Sequence, residues 1–531
     1  GDAATTVQTV TTQSSTEDGD LTVVKILGRN YTYTGANGKT VTLKDWSTEG
    51  KSKRWDKLAE NLAAKGVKLE LDLIEPDQFD TTVQTMAASG ELFNYDMINI
   101  TPLDDKTKLN LVKQGQLQSI SDIWETYSDG TYTDFINSDA GQYYAKHVAL
   151  EDGECYWLTD YETGSYEGNS TNFILAFQIR QDWLDELNLE VPKTIEEIRE
   201  VAKAFIDNQM GGPETIGLLG PSSNNLLYAT FQQSSGTMCG LDGIFQGKGA
   251  LPGYWVKDES GNVVYGSLTQ ETKDTLQVLS EMYKEGTLDP ELGTRKDADE
   301  AWKSGQAGMF FGPWWVGYNL ADAIALDPEA EWLAYPYPLT DEGKWEPHMQ
   351  NPSDSYYVVR KGYEHPEALI MINNQLLVPE VSNTLENTGI LAGYIPGRLV
   401  INFAKPEESD AQILNKYLET GTVPEYELAE HTRIEADINS VKEIKQEPYD
   451  DLGIETWNVS AEGNFGRIYS TLVGVGAIDE GYEIGCEEGY SVFYGQTDSM
   501  QKKWSNLKKI EDETFLKIIL GTVPIEEFDT F

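Results

Sequence analysis

Positive charge is scarce in this chain, and long apolar runs are missing. The 531 residues include 40 Lys and Arg against 88 Asp and Glu, which gives a formal net charge of −48. Such a field repels phosphate backbones and anionic lipid headgroups, which argues against nucleic acid and anionic membrane as partners. Apolar runs fall short of the roughly 18 residues that cross a bilayer, so no membrane-spanning segment is predicted.

Cysteine and histidine are also rare. Cys155, Cys239 and Cys486 are far apart and form neither a C-x-x-C pair nor a metal-ligand pattern. We expect buried free thiols, with one disulfide as the alternative. The four histidines lie in charged or Pro-adjacent contexts, which favours surface or turn positions over a metal site. No metal and no cofactor are predicted.

Sequence motifs of catalysis are missing as well. The chain has no G-x-S-x-G elbow, no H-E-x-x-H, no P-loop and no EF-hand loop. A glycoside hydrolase needs only two carboxylates about 5–10 Å apart, and the abundant acidic residues leave that alternative open. The expectation is a protein that is not an enzyme.

Length and composition predict a globular protein with two or more domains. A chain of 531 residues is too long for one hydrophobic core, and 39% of it is apolar. Residues 1–20, GDAATTVQTVTTQSSTEDGD, are rich in Thr, Ser and acidic residues and show no apolar periodicity. We predict that they form a flexible tether.

The sequence after residue 20 predicts α/β structure. Near the start, SKRWDKLAENLAAKG has helical apolar spacing and VKLELDLI alternates with a period of two. A second helix and the strand YDMINI follow, which predicts right-handed βαβ units and a parallel sheet. A second α/β region opens at FILAF, and its first helix starts with a capping box formed by Thr194 and Glu197.

Several phrases together resemble a known family. They are MAASGELFNYDMINI, LVKQGQLQSISDIW, FQIRQDWLDELNLEVPKTIEEIREVAKAF, WKSGQAGMFFGPWWVGYNL and FLKIILGTVPIEEFDTF, in this order along the chain. The set resembles the extracellular solute-binding proteins of bacterial ABC importers, in the large family that includes maltose-binding protein. Residues 381–500 match no phrase of that family. The family's lipid-bearing cysteine is absent from this sequence, and we expect that it was lost with a removed N-terminus.

The resemblance implies a periplasmic-binding-protein-like architecture of two α/β lobes with a ligand cleft between them. One lobe is expected to comprise 21–178 plus about 350–398, and the other about 181–345 plus 401–531. The chain would cross between them near 175–180, near 345–355 and near 395–405.

The double tryptophan in GPWW is the leading candidate site. An indole is a large, flat partner for the apolar C–H faces of a sugar. In the family resembled, the aromatic after Gly-Pro faces the cleft and stacks on a sugar, and Trp314 holds that place. Trp315 is the weaker candidate. Both could instead be packing between structural elements.

The other candidate ligand contacts are less specific. Trp46 and Asp45 follow the first strands, although Trp46 could simply cover the first helix. Tyr394 and Phe465 lie in Gly-rich segments that are typical of loops. Trp157, Asp160 and Tyr161 precede the first expected crossing. Asp45, Asp160 and Arg398 could hydrogen-bond sugar hydroxyls.

The expected function is non-catalytic binding of an oligosaccharide and its delivery to the permease subunits of an ABC importer. The protein would be a monomer, held by a lipid anchor at the extracellular face of the cell membrane. Fragments of xylan or mannan are the expected ligands, and a peptide is an alternative ligand. A glycoside hydrolase and a surface carbohydrate-binding adhesin are the alternative functions.

Overall fold

A computed structural model of the chain describes residues 21–34, 40–126, 153–159, 174–232, 238–349, 356–378, 381, 408–425, 434–444, 462–493 and 497–531. The strands are β1 Thr22–Arg29, β2 Thr32–Thr34, β3 Thr40–Thr42, β4 Val67–Ile74, β5 Met97–Asn99, β6 Trp157–Thr159, β7 Leu175–Arg180, β8 Ile216–Leu218, β9 Trp255–Lys257, β10 Val263–Tyr265, β11 Ala307–Pro313, β12 Trp332–Tyr335 and β13 Tyr356–Val359.

Helices take up more of the described chain than strands do. The α-helices are α1 Leu43–Trp46, α2 Lys53–Ala64, α3 Pro76–Ser89, α4 Asp105–Lys113, α5 Ser121–Thr126, α6 Gln181–Leu187, α7 Ile195–Asp207, α8 Asp242–Gln246, α9 Gln270–Glu285, α10 Ala298–Lys303, α11 Leu320–Leu326, α12 Ala368–Leu377, α13 Asp410–Thr420, α14 Ile434–Ile444, α15 Glu462–Tyr469, α16 Gly476–Gly485, α17 Asp498–Ile519 and α18 Glu527–Thr530. Shorter 3₁₀ turns are Glu91–Asn94, Gly266–Leu268 and Trp314–Asn319, and Ser470–Val475 is a π-helix.

The first sheet has the strand order β4-β1-β5-β13-β6. Strand β1 runs parallel to β4 and to β5, as the βαβ pattern predicts. Strand β13 comes from much later in the chain and pairs antiparallel with both β5 and β6. The first core therefore combines side chains from residues 24–158 with side chains from residues 357–381.

Local sequence explains the helices that cover this sheet. The Ser52 hydroxyl accepts a hydrogen bond from the Trp55 backbone N–H and so caps α2, whose Leu58 and Leu62 are buried. Helix α3 has Pro76 in its first turn, where the missing N–H costs nothing. It ends at Gly90, which adopts the left-handed conformation with φ 81°.

The second sheet has the strand order β12-β7-β11-β8. Strand β7 pairs antiparallel with β11 and β12, and β11 pairs parallel with β8. The capping box predicted for Thr194 and Glu197 is present at the start of α7. The cores around this sheet include residues from 174 to 349 and from 413 to 528.

Along the described residues, the chain changes from one core to the other three times. The first passage lies between Thr159 and Ile174, the second between Met349 and Tyr356, and the third follows Val381 and ends before Ser409. The predicted lobe boundary at 178 falls inside β7, which belongs wholly to the second sheet. The first boundary therefore lies earlier in the chain than residue 178, since all of β7 lies in the interior of the second sheet.

A buried carboxylate of the C-terminal helix α17 accepts hydrogen bonds from side chains of residues 228–267. Glu511 is 2% exposed and accepts hydrogen bonds from Tyr228 Oη at 2.5 Å, Tyr265 Oη at 2.8 Å and Ser267 Oγ at 2.8 Å. Burial, and then the nearby Glu511 carboxylate, raise the pKa of Tyr228 well above its usual value. The two tyrosines therefore stay protonated and can donate.

Replacing this carboxylate should destabilise the protein. Glu511→Ala leaves three hydroxyl donors, two of them buried, without this acceptor, so the free energy of unfolding should fall by about 2–4 kcal/mol. Glu513→Ala, at an exposed position on the same helix, should change it by less than about 0.5 kcal/mol. Chemical denaturation of both variants measures this, and equal stabilities would contradict the role given to Glu511.

The three cysteines are free, as expected, but their environments differ. Cys155 and Cys239 are buried, whereas Cys486 is half-buried. Burial raises the pKa of the Cys155 thiol to about 12 and that of Cys239 well above its usual value. Only the thiolate reacts with disulfide reagents, so two of the three thiols are protected by the fold.

Thiol labelling should follow this order. At pH 8, a thiol with a pKa of about 12 is thiolate in roughly one molecule in 10⁴. Cys486 should therefore react first in the native protein, and Cys155 and Cys239 should react only after denaturant is added. Mass spectrometry of labelled peptides can check this, and rapid native labelling of Cys239 would show that its surroundings open readily.

Candidate ligand-binding site

The two sheets each present an edge at the point where the chain passes between them. In the first sheet this edge holds the carboxyl ends of β1, β4, β5 and β6 and the start of β13. In the second sheet it holds the end of β11 at Pro313, which pairs with Leu175 at the start of β7. We name these edges the first rim and the second rim. Ligand loops of α/β proteins lie at such strand ends.

Strand β11 delivers Trp314 to the second rim. All seven residues of β11 are buried, and its small residues allow close packing. A Cβ added to Gly308 would lie 2.5 Å from the Phe205 ring, so only glycine fits there. After Pro313 the chain turns into a 3₁₀ turn in which Trp314 and Trp315 are both half-buried.

This 3₁₀ turn is held against α15 and the π-helix that follows it. A Cβ on Gly474 would lie 2.0 Å from the Trp314 carbonyl oxygen, and a Cβ on Gly466 would lie 2.8 Å from Tyr318 Cα. Two glycines on the partner helices therefore let the backbones touch. The position of Trp314 is fixed by main-chain packing as well as by its own side chain.

The Trp314 ring has defined neighbours. The Tyr318 ring meets it edge-on at 6.4 Å between centroids. The Arg467 guanidinium lies over the ring, 5.9 Å from its centroid. Part of the indole also packs against the apolar cluster that contains Ile174 and Trp345. Trp314 is thus anchored on several sides while part of its surface stays exposed.

A small recess with room for about one water molecule lies beside Trp314. Its lining residues are Gln178, Trp314, Val316, Gly317, Leu320, Trp332, Tyr469, Ser470, Val473 and Gly474. Within the described part of the chain, the buried atoms Ser470 Oγ and Trp332 Nε1 have no hydrogen-bond partner. The lining is mostly apolar with a few polar atoms, and the recess is too small to hold a sugar ring.

The first rim carries its own aromatic pair. The Trp157 and Tyr356 rings meet edge-on with centroids 5.9 Å apart. Lys108 Nζ lies 4.0 Å from the centroid of Tyr356. Nearby, Asn99 Nδ2 donates to Tyr357 Oη at 3.2 Å. Sequence reasoning named Trp157 but missed Tyr356 and Lys108, although two tyrosines directly after a crossing, in SYYVV, were a usable signal.

Of three other candidates, two are buried and one is exposed. Trp46 is 3% exposed and its ring lies 6.5 Å from that of Trp55, so it covers helix α2. Phe465 is fully buried inside α15 rather than in a Gly-rich loop. Neither ring offers a free face to a ligand. Asp45 is exposed, and its carboxylate accepts from Thr42 Oγ1 at 2.9 Å beside the helix cap.

The remaining candidates are Tyr394, Arg398, Asp160 and Tyr161, and all lie outside the described residues. Among the residues that the structure does describe, no group of three or more His, Cys, Asp or Glu side chains is arranged to hold a metal ion. The helices within these same ranges include none that is long and apolar enough to cross a bilayer.

Comparison with known proteins places this geometry in a family. The family model for bacterial extracellular solute-binding proteins matches residues 45–371, which is more than half of the chain. A curated relative, the polygalacturonan/rhamnogalacturonan-binding protein YtcQ of Bacillus subtilis (strain 168), is 26% identical over 265 residues. That match covers 49% of this chain and 45% of the relative, so the chain spans less than half the length of YtcQ.

Solved structures agree with the fold. The alginate-binding protein AlgQ2 without calcium ion superposes with a TM-score of 0.56 at 15% identity, covering 97% of this chain and 94% of that one. An HMO-binding, ABC-transporter-associated solute-binding protein from Bifidobacterium longum infantis gives 0.53 at 14% identity, covering 97% and 100%. These likenesses confirm the predicted α/β, two-lobe class of fold. The chain belongs to the family of bacterial extracellular solute-binding proteins.

Proposed function

We propose that this protein binds an oligosaccharide between its two α/β units, without chemical turnover, and delivers it to an ABC importer. The observation that carries the proposal is the half-buried Trp314, fixed at the second rim where the chain enters the second sheet. Membership of a solute-binding family supports binding and not catalysis. This favours the proposal over a glycoside hydrolase.

The rigid placement of Trp314 suits a sugar ligand. A pyranose ring has apolar C–H faces that pack well on a flat indole. Because the backbone of Trp314 is packed against Gly474, little conformational freedom remains to be lost when a ligand arrives. At the first rim, the half-buried Tyr356, which packs on the buried Trp157, could contact the same ligand.

The class of oligosaccharide is the finer part of the proposal. YtcQ is named for binding polygalacturonan and rhamnogalacturonan, so plant cell-wall fragments are the first ligands to test. Xylan and mannan fragments belong to the same broad class and stay candidates. A peptide ligand would use the same rims but would need hydrogen-bond partners for its backbone.

The proposal extends to partners and place. The family is extracellular, so the ligand would be captured outside the cell. We propose permease subunits of the importer as the protein partner and a monomer as the working form. Attachment to the outer face of the cell membrane through a lipid is part of the same proposal, with the Thr- and Ser-rich residues 1–20 as spacer.

Calorimetric titration against a panel tests the function itself. The panel contains oligogalacturonides, rhamnogalacturonan fragments, xylo- and manno-oligosaccharides, and short peptides. We expect saturable micromolar or tighter binding of one saccharide class and no new reducing ends after prolonged incubation. Binding of peptides alone, or steady release of new reducing ends, would contradict the proposal.

Trp314→Ala tests the site. If the indole stacks on a sugar, affinity should fall by about 1–3 kcal/mol, on the order of ten- to hundredfold, while the fold survives. Trp314→Phe should recover part of the loss because a smaller aromatic face remains.

The matched control for this site test is Trp183→Phe, a buried tryptophan of α6, which follows the end of β7 opposite the second rim. Its affinity should be unchanged. Thermal melting of each variant distinguishes a ligand-binding role of Trp314 from a purely structural one. Near-normal affinity with a sharply lowered melting temperature for Trp314→Ala would show that the residue is scaffold.

Ligand should also close the two units by bending at the passages between the sheets. Small-angle X-ray scattering should give a smaller radius of gyration with the saturating saccharide identified by calorimetry than without it. An unchanged scattering profile with confirmed binding would exclude hinge closure and would favour a rigid carbohydrate-binding adhesin.

A further inference from the structure

Arg467 is the cation nearest the site tryptophan among the contacts described, and it is already paired. Its Nε and Nη2 donate to the two carboxylate oxygens of Asp437 at 3.2 and 3.0 Å. Nη2 also lies 3.7 Å from Asp410 Oδ2. Asp437 is 1% exposed, so this is a buried, bidentate pair with a second carboxylate close by.

We propose that Arg467 is a positioning residue for Trp314 and not a binding group for an acidic sugar. This inference rests on the proposed function. The guanidinium carbon of Arg467 lies over the indole, 5.9 Å from its centroid, and two hydrogen bonds to Asp437 hold the guanidinium in place. A ligand would reach Trp314 only from the sides that Arg467 and the Ile174 cluster leave open.

The charge balance supports this role. Two carboxylates face one guanidinium, so the group as a whole carries no excess positive charge that could attract a uronate. Burial opposes the charge of Arg467, but Asp437 and its other neighbours outweigh that effect and raise the pKa of the guanidinium above its usual value. Arg467 therefore stays charged and stays paired with the Asp437 and Asp410 carboxylates.

Arg467 also joins helices α13, α14 and α15. Asp410 is the first residue of α13, which begins directly after residues 382–407. Asp437 lies on α14, and Arg467 itself is on α15 next to Gly466, which touches Tyr318. One side chain thus connects three helices to the indole.

The test compares acidic and neutral probes on variants that avoid an orphaned carboxylate. Arg467→Met combined with Asp437→Asn removes the cation and the buried charge together, and Arg467→Lys keeps the charge. Trigalacturonate and mannotriose are the two probes. The double variant should lose about three- to tenfold in affinity for whichever probe the wild type binds, and the loss should not depend on salt.

A double-mutant cycle with Trp314→Ala separates positioning from a general structural effect. In the Trp314→Ala background the same double variant should cause no further loss of affinity. The matched control is Arg295→Met with Asp289→Asn, another buried pair, with a 2.6 Å contact, in the same unit. It should leave affinity unchanged.

A measurement without ligand keeps this inference separate from the proposed function. The contribution of Trp314 to fluorescence is the difference between each variant and its Trp314→Phe partner. Acrylamide should quench that contribution more strongly in the Arg467→Met, Asp437→Asn protein, with Arg467→Lys close to wild type. Unchanged quenching, or a salt-sensitive loss for trigalacturonate alone, would overturn the inference. Failure of wild type to bind any saccharide of the calorimetric panel would count against the proposed function, while the quenching result would still decide the role of Arg467.

Discussion

The contact between two backbones determines the geometry of the second rim. The Trp314 carbonyl oxygen occupies the space that a side chain on Gly474 would need, since an added Cβ there would lie 2.0 Å away. Gly466 makes the equivalent contact with Tyr318. The proposals for the site depend on this packing, because it fixes the backbone that carries the Trp314 indole at the second rim.

The sequence alone predicts those features of the fold and site that depend on local residue patterns. The parallel start of the first sheet follows from alternating periodicity, and the start of α7 follows from Thr194 and Glu197. The Gly-Pro-Trp motif pointed to Trp314 through family resemblance. These signals are contained in a few neighbouring residues, so no tertiary information was needed to find them.

The remaining site residues depend on distant contacts, which a sequence pattern does not reveal. The glycines in EGNFGR suggested a loop around Phe465, yet the segment is helical. Gly466 allows close packing against Tyr318 and does not form a turn. Trp46 looked available after a strand but packs on Trp55. The pairing of Trp314 with Arg467 joins residues 153 positions apart along the chain.

The crystal structure of the protein with a bound oligosaccharide tests the central claim most directly. The account predicts a sugar ring stacked on the exposed part of Trp314, between the two rims, with Arg467 still paired to Asp437. A saccharide bound elsewhere, with Trp314 fully covered by protein, would contradict it.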